Sequence, residues 1–554
     1  MTEFFRSKYF YFILIIILGS VIFIPFSGVV HLFDWDEIIF AESAREMIVS
    51  GDYMTVTINY QPFYEKPPLF MWLQVLSMKV FGVNEFAARF PNAICAIITL
   101  LALYLAGTRI LDKRFGLLWT LAHGTALLPF FYFQTGIIDP WFNLFIILGV
   151  ILFVFYLGFE NHSKRLYYLI LSAFFLGLAV LTKGPVAVLI FTAAFVVHLF
   201  LQKGKIKTKG FHIVLFIVVL AVIGGSWFLL LIVTGNYGVI HDFIHYQAGL
   251  FSDGFAGHDG FPGFHFVIIL LGMFPASVFF FSSITRKREK NRMVSLSRQW
   301  MFILLIVVLV LFSIVSTKLV HYSSLAYFPV SFLAALALHH WFERHLEFKR
   351  FQRIMILIIP LFIGLTTLLI PYLLTHQQII NPYLESLNDP FVKGVISSEV
   401  SWSTIDYLPG MIFIIGAIIS VVLVHKRDRA SVIIIQIITL LFTYFTVILF
   451  VPKVEKMLQG PSIEFFEKHA DSEELAISLG FKSFAQYFYG KWQPGMTRGE
   501  NKSEWIMEHD VTHVIIKSDK LDKTLKRFED IKITSEKWGY VFGVIESSSA
   551  DIKE

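Results

Sequence analysis

Residues 34–68 read DWDEIIFAESAREMIVSGDYMTVTINYQPFYEKPP, following one long apolar run and preceding many more. Asp36, Glu37, Glu65 and Lys66 gather here in a chain of which only 16% of residues are charged. The first half has the pattern of a short amphipathic helix. Asp34 stands at an N-cap position with Glu37 three residues on, and Gly51 supplies the stop. Phe40, Ala41, Ala44, Met47 and Ile48 fall on one stripe, with Glu42, Arg45 and Glu46 on the other side. That division predicts a helix lying in the membrane interface and not crossing it. Pro67 and Pro68 stiffen the end of the stretch, and Pro68 bars the helical region to its predecessor. Carboxylates and a cation are thereby held on a rigid frame at a membrane surface.

The flanks make the membrane assignment. The 554 residues are 56% hydrophobic, with a mean hydropathy of +0.68. Apolar runs of about 20 residues recur along most of the chain, each enough to cross a hydrocarbon core of roughly 30 Å. Thirteen spans are predicted, near 10–30, 91–110, 116–133, 140–158, 166–182, 185–201, 211–234, 264–284, 300–317, 323–341, 352–374, 409–425 and 431–451. The first, Tyr9 to Val30, exceeds a signal-peptide core and lacks a small-residue exit, so it reads as an uncleaved span. Cys95, the only cysteine, lies inside an apolar run, which excludes a disulfide framework and a cysteine metal site.

Charge asymmetry orients the spans. With the N-terminus inside, the inner loops carry Lys113 and Arg114, Lys164 and Arg165, Lys203 to Lys209, Arg286 to Arg298, Arg344 to Arg353, and Lys426 to Arg429. The outer loop 235–263 has no lysine or arginine, and 375–408 has only Lys393. An odd span count puts the 34–90 loop and the C-terminal tail outside. From about residue 452 charge density rises and apolar groups shorten. Thr512 to Ile516 reads as a strand, Lys520 to Phe528 as a helix and Ile533 to Ile545 as a strand or hairpin. The expected architecture is an α-helical polytopic membrane protein. Residues 1–451 form the membrane part and residues 452–554 a small extracytoplasmic α/β domain. The net charge of +5 is spread over loops and carries no nucleic-acid signal. The partners implied are a bilayer and a lipid, and the chain is expected to be a monomer.

Several polar residues invite a functional reading against a bland one. Asp36 and Glu37 fit a helix N-terminus, where negative charge is favoured in any case. Glu65-Lys66 before two prolines looks placed, although a structural ion pair also explains it. Asp139 before Pro140 suits an N-cap followed by Pro at N1, and capping alone suffices there. Lys183, in a short outer turn, could simply snorkel. His241 and His245 stand four residues apart, a weak metal signature in a loop that also holds His258, His265, Asp242, Asp253 and Asp259. Lys318, His321 and Tyr322 lie at the outer end of a span, where a lysine is costly without an anionic partner. All of these sit at one membrane edge. Carboxylates, lysines and a histidine at headgroup level suit a phosphate-bearing lipid.

Asp36-Glu37, Ala41-Glu42-x-Ala44-Arg45-Glu46-Met47, Ser50-Gly51-Asp52 and Glu65-Lys66-Pro67-Pro68-Leu69 together resemble the first outer loop of the aminoarabinose lipid A transferases. Those enzymes belong with bacterial relatives of protein O-mannosyltransferases. Leu181-Thr182-Lys183-Gly184-Pro185, Gly257 to Pro262, Gly272 to Pro275 and Lys318-Leu319-x-His321-Tyr322 resemble further segments of that family, so the likeness covers residues 1 to about 340. The resemblance implies a GT-C fold in a bacterial inner membrane and transfer of a sugar from a polyprenyl (undecaprenyl) phosphate donor to an envelope acceptor, whether lipid A, a glycan or a protein. It implies Asp36 as the catalytic carboxylate, with Asp139 also assigned to the catalytic group. Glu37, Lys66, Lys183, Lys318, His321 and Tyr322 are its expected substrate-binding residues. Glu65 and His258 are expected to hold a divalent metal ion such as Zn, Mg or Mn. The His258 loop departs from the family in lacking a nearby arginine, so an extra phosphate contact from that loop is not carried over from the resemblance.

The chemistry is coherent by itself. An acceptor hydroxyl is a poor nucleophile until a carboxylate takes its proton. A departing lipid phosphate needs cations more than a proton. Direct displacement would invert the anomeric centre. A secondary transporter would place broken helices and charges near mid-bilayer, not at one edge. A lipid-linked polysaccharide polymerase or ligase is closer in chemistry.

Overall fold

A computed structural model describes residues 8–159, 162–204, 208–252, 261–284, 289–315, 318–344, 348–425, 430–470, 472, 474–496, 505–506, 509 and 511–546. Eight helices in it are long and apolar enough to cross a membrane: Glu85–Ile110, Asp139–Gly158, Ser163–Lys183, Arg292–Ile314, Val320–Glu343, Arg350–Thr375, Thr404–His425 and Ala430–Leu458. Three bent pairs raise the number to eleven. Lys113–Gly124 and Leu127–Phe133 meet at 73°, Gly210–Gly224 and Ser226–Val233 at 55°, and Phe264–Gly272 and Ala276–Ile284 at 108°. The second bend falls at Gly224-Gly225 and the third at Pro275, residues that interrupt helices for lack of a side chain or of an N–H. The other two expected spans are short helices, Lys8–Phe23 and Val186–Leu201. Pro25 closely follows the first, cutting the apolar run of residues 9–30.

Beyond residue 451 the chain forms a mixed sheet of β3 (Leu475–Leu479), β4 (Val511–Lys517), β5 (Lys532–Lys537) and β6 (Tyr540–Glu546) in the order β3-β4-β6-β5. A two-stranded ribbon, β1 (Thr57–Ile58) with β2 (Gln61–Pro62), precedes it in the first loop. β3 runs parallel to β4, while β6 is antiparallel to both β4 and β5. The expected strand at 512–516 and hairpin at 533–545 are therefore present, and the helix at 520–528 is reduced to Leu521–Leu525. β3 was not foreseen.

The sheet does not stand apart from the first loop. Ile38, Phe40, Met47, Phe70 and Val75 share one buried apolar cluster with Ile463, Phe466, Phe488 and Ile515. This overturns the interfacial reading of the first-loop helix, Asp36–Ser50. Residues 37 to 47 are all buried, including Glu42, Arg45 and Glu46. A helix can bury its charged side only if each charge is paired. Arg45 Nε and Nη2 donate to the Glu42 carboxylate at 2.7 and 2.6 Å, and Nη2 also donates to the Trp492 carbonyl at 2.6 Å. Glu46 accepts from Thr57 and from the Tyr60 N–H. Burial, with the Glu42 carboxylate close by, pushes the Glu46 carboxyl up to about 8. Gly51 ends the helix as expected, at φ 74° with its N–H on the Met47 carbonyl.

Candidate active site

Trp35 sets the direction in which the helix Asp36–Ser50 begins. Its φ of 78° is a conformation that a bulky residue adopts only under constraint, at a cost of about 1–3 kcal/mol. Asp34 supplies the constraint. Its Oδ1 accepts the Trp35 N–H at 2.8 Å and the Phe484 N–H at 2.9 Å, while its own N–H donates to Gln459 Oε1 at 3.1 Å. Asp34 is thus a brace to the sheet side of the molecule and not the expected N-cap; no side chain caps this helix. Asp36 emerges as its first residue, with a side chain 46% exposed. Its Oδ2 lies 3.8 Å from His321 Nε2.

Asp139 opens the helix Asp139–Gly158 with Pro140 in the first turn, but Ile138 occupies the N-cap position and Asp139 makes no cap. Its carboxylate is buried and accepts a hydrogen bond from Lys183 Nζ at 2.7 Å. Lys183 is the last residue of the helix His162–Lys183, which Gly184 terminates at φ 84°. The chain turns there only because glycine tolerates this conformation. Lys183 does not snorkel outward as a lone cation; it is pinned by Asp139, with Nζ 5.9 Å from the centre of the Tyr322 ring.

Lys66 completes the group. Its Nζ is 3.6 Å from Glu65 Oε2. The Tyr246 hydroxyl donates to Glu65 Oε1 at 3.0 Å, and the Gln247 amide donates to the Glu65 carbonyl at 3.0 Å. The fields of Glu65, Lys183, Asp36 and Asp139 all reach Lys66. Burial pushes its ammonium below the ordinary lysine range, with Glu65 opposing the shift and Lys183 adding to it. His321 feels Asp139, Lys183, Asp36 and Lys66 in turn, and Tyr322 feels Asp139, Asp36 and Glu65. Three carboxylates, two lysines, an imidazole and a phenol surround one centre.

Two expected substrate-binding residues lie elsewhere. Glu37 is buried at the base of the loop, where its carboxylate accepts from Arg89 Nε at 2.9 Å, Arg89 Nη2 at 2.8 Å, the Phe33 N–H at 2.9 Å and the Gly136 N–H. Burial raises its proton affinity, yet Arg89 and the backbone donors outweigh that and hold the carboxyl below its ordinary value. Its carboxylate oxygens are thus taken up by Arg89 and backbone N–H groups of the loop and of Gly136. Lys318 donates to the carbonyls of Phe312 at 3.1 Å, Ser313 at 2.8 Å and Val315, closing the end of the helix Arg292–Ile314. These carbonyls are the negative end of that helix.

Of the two expected metal ligands, His258 lies outside the described residues, as do Asp253 and Asp259. Glu65 keeps a side chain 41% exposed, anchored through one oxygen by Tyr246. Its other oxygen lies 3.6 Å from Lys66 Nζ, so a divalent ion at this carboxylate would share it with that ammonium. Among the described residues the three-membered grouping of possible ligands is Asp112, His339 and Glu343, away from this centre. Tyr246, Arg89 and Gln459 were not anticipated. The signal for Arg89 is a guanidinium in the first turns of an apolar span, which needs a carboxylate nearby; Tyr246 lay unnoticed between the histidines of the 235–263 loop.

Comparisons with known proteins bear on the family and the fold. Residues 65–227 match the family described as dolichyl-phosphate-mannose-protein mannosyltransferase. The chain is 30% identical over 318 residues to an uncharacterized protein of Aquifex aeolicus, covering 54% of this chain and 58% of that one. It is 26% identical over 385 residues to undecaprenyl phosphate-alpha-4-amino-4-deoxy-L-arabinose arabinosyl transferase 2 of Proteus mirabilis, covering 67% and 66%. The matched stretches thus span less than two thirds of these relatives' own lengths. The crystal structure of ArnT from Cupriavidus metallidurans bound to undecaprenyl phosphate superposes with a TM-score of 0.75 at 18% identity, over 99% of this chain and 100% of that one. That likeness establishes the fold, the GT-C architecture expected from the first loop. In sequence over these stretches, and in fold over nearly its whole length, the chain resembles the glycosyltransferases that draw on a sugar carried by a polyprenyl phosphate, the aminoarabinose transferases among them.

Proposed function

We propose that the protein is a membrane glycosyltransferase that moves a sugar from a polyprenyl phosphate to an acceptor hydroxyl, on an envelope lipid, a glycan or a protein. The observation that carries this reading is the half-exposed Asp36 carboxylate beside His321, with Lys66 and the Lys183–Asp139 pair around the same centre. Asp36 takes the acceptor proton as the hydroxyl attacks the anomeric carbon. The bond from that carbon to the phosphate oxygen breaks, its electron pair leaves with the phosphate, and the anomeric centre inverts. Lys66 and Lys183 face the growing negative charge, and Asp139 fixes Lys183 in place. His321 orients Asp36, and Tyr322 offers a hydroxyl to the phosphate. Release of polyprenyl phosphate and sugar transfer by purified protein, supplied with a panel of defined polyprenyl-phosphate sugars, tests the reading; no turnover with any donor under conditions that preserve donor binding would sink it.

Glu65 and His258 would hold a divalent ion at the edge of this site. Bound there, it supplies positive charge near the leaving phosphate, next to Lys66. Two protein ligands bind weakly, so the expected result is metal loss on chelation and a His258→Ala variant that retains less metal by elemental analysis and transfers more slowly. Full activity after exhaustive chelation together with a fully active His258→Ala protein removes the ion from the reaction.

The lysine- and arginine-free loop 235–263 supports a site facing outward from the cytoplasmic membrane, with the sheet on the same side. A reporter active only outside the cytoplasm, fused after residue 554, is expected to be active. Activity of a cytoplasm-specific reporter at that position reverses the orientation.

A further inference from the structure

At the membrane edge opposite the site, the helices Arg350–Thr375 and Leu408–His425 enclose a groove that the transfer reaction does not use. Leu408–His425 starts beside Asp406, which pairs with Lys453 on the chain leading to the sheet, so His425 marks the far edge. The two helices meet closely partway along. A Cβ on Gly364 would lie 3.1 Å from the Gly410 carbonyl oxygen, and one on Gly410 would lie 2.8 Å from that of Gly364. Toward the far edge residues of both helices line a cavity of about 600 Å³. Ile354, Leu357 and Val421 line it, with Arg350, Arg353 and His425 at the membrane edge. Ile354 and Val422 are 40% and 48% exposed, so the groove opens toward the lipid-facing surface. No carboxylate lines it among the described residues.

Arg353 supplies a second observation. Its Nε is buried and has no hydrogen-bond partner among the described residues. A buried guanidinium N–H without an acceptor is costly, and Arg is suited to bidentate contact with phosphate. The first turn of Arg350–Thr375 adds the positive end of a long helix. Lys426, Arg427 and Arg429 follow His425 directly in sequence.

We infer that this groove binds an anionic glycerophospholipid, its phosphate on Arg353 and Arg350 and an acyl chain along Ile354, Leu357 and Val421. The apolar walls select a lipid over a free anion, and the arginines select an anionic headgroup over a zwitterionic one. Its test is titration of the purified protein in neutral detergent with phosphatidylglycerol, phosphatidylcholine or inorganic phosphate, with adducts read by native mass spectrometry. Phosphatidylglycerol is expected to bind about ten-fold or more tighter than phosphatidylcholine, the usual weight of a charge-assisted contact. Inorganic phosphate is expected not to compete. Arg350→Gln with Arg353→Gln should abolish the preference, and the corresponding Lys pair should recover part of it, which controls for folding. Lys164→Gln with Lys209→Gln removes the same charge elsewhere and should change nothing. Equal binding of the two lipids, full competition by phosphate, or an equal loss in the Lys164/Lys209 control would overturn the inference.

Discussion

Asp36→Asn is expected to abolish sugar transfer while leaving the fold and donor binding close to wild type. The substitution keeps the shape of the side chain and removes its ability to accept a proton, and positioned general bases typically contribute about 10²–10⁴-fold. Little else at the site should move. Asp36 makes one long contact, 3.8 Å to His321, and its carboxylate is half exposed, so no buried partner is left unsatisfied. Donor binding depends on the lysines and should change less than turnover. Rates measured with saturating donor and acceptor, alongside a donor-binding titration, separate the two effects. Turnover within a few-fold of wild type would reduce Asp36 to a helix-terminal charge.

Lys66→Met is expected to weaken donor binding and turnover together, each by roughly ten- to a hundred-fold, the weight of a charge-assisted hydrogen bond of about 1.5–3 kcal/mol. Methionine keeps the apolar stem and removes the ammonium. The competing role is an ion pair with Glu65, 3.6 Å away. If pairing were all, Glu65→Gln with Lys66→Met would restore what either single change loses; no rescue is expected. The surroundings of Glu65 favour this outcome, because Tyr246 also holds that carboxylate. The depressed proton affinity of Lys66 adds a pH signature. Since a lysine loses its charge as pH rises, donor binding should decline at a lower pH than an ordinary lysine would dictate. Lys66→Arg, which stays charged, should recover part of the binding and remove that decline.

Much of the site was legible because its residues are costly where they stand. Asp36, Lys66, Asp139, Lys183 and His321 are ionisable groups at the ends of apolar runs, and such groups need partners. Their mutual arrangement was not legible. Nothing in the spacing of Asp139 and Lys183, 44 residues apart, announces a hydrogen bond between them. The local partners of Glu37 and Lys318 were not legible either: Glu37 accepts from Arg89 and backbone N–H groups, and Lys318 donates to the carbonyls of a helix end. The amphipathic pattern of residues 36–50 was real, but it cannot tell a membrane interface from a protein interface. The Trp492 carbonyl and the first-loop residues Thr57 and Tyr60 meet the polar side, and Arg45 pairs with Glu42 there. Apolar runs, likewise, report composition and not continuity, so Gly224-Gly225 and Pro275 bend what hydropathy draws as single spans.

The central claim is a single displacement at the Asp36 centre, and the anomeric configuration of the product tests it most directly. Purified protein would be incubated with a polyprenyl-phosphate sugar of known configuration, and the first-formed glycosidic bond read by NMR before any equilibration. The account expects the opposite configuration to that of the donor, with one polyprenyl phosphate released per sugar transferred. A product that retains the donor configuration would contradict it.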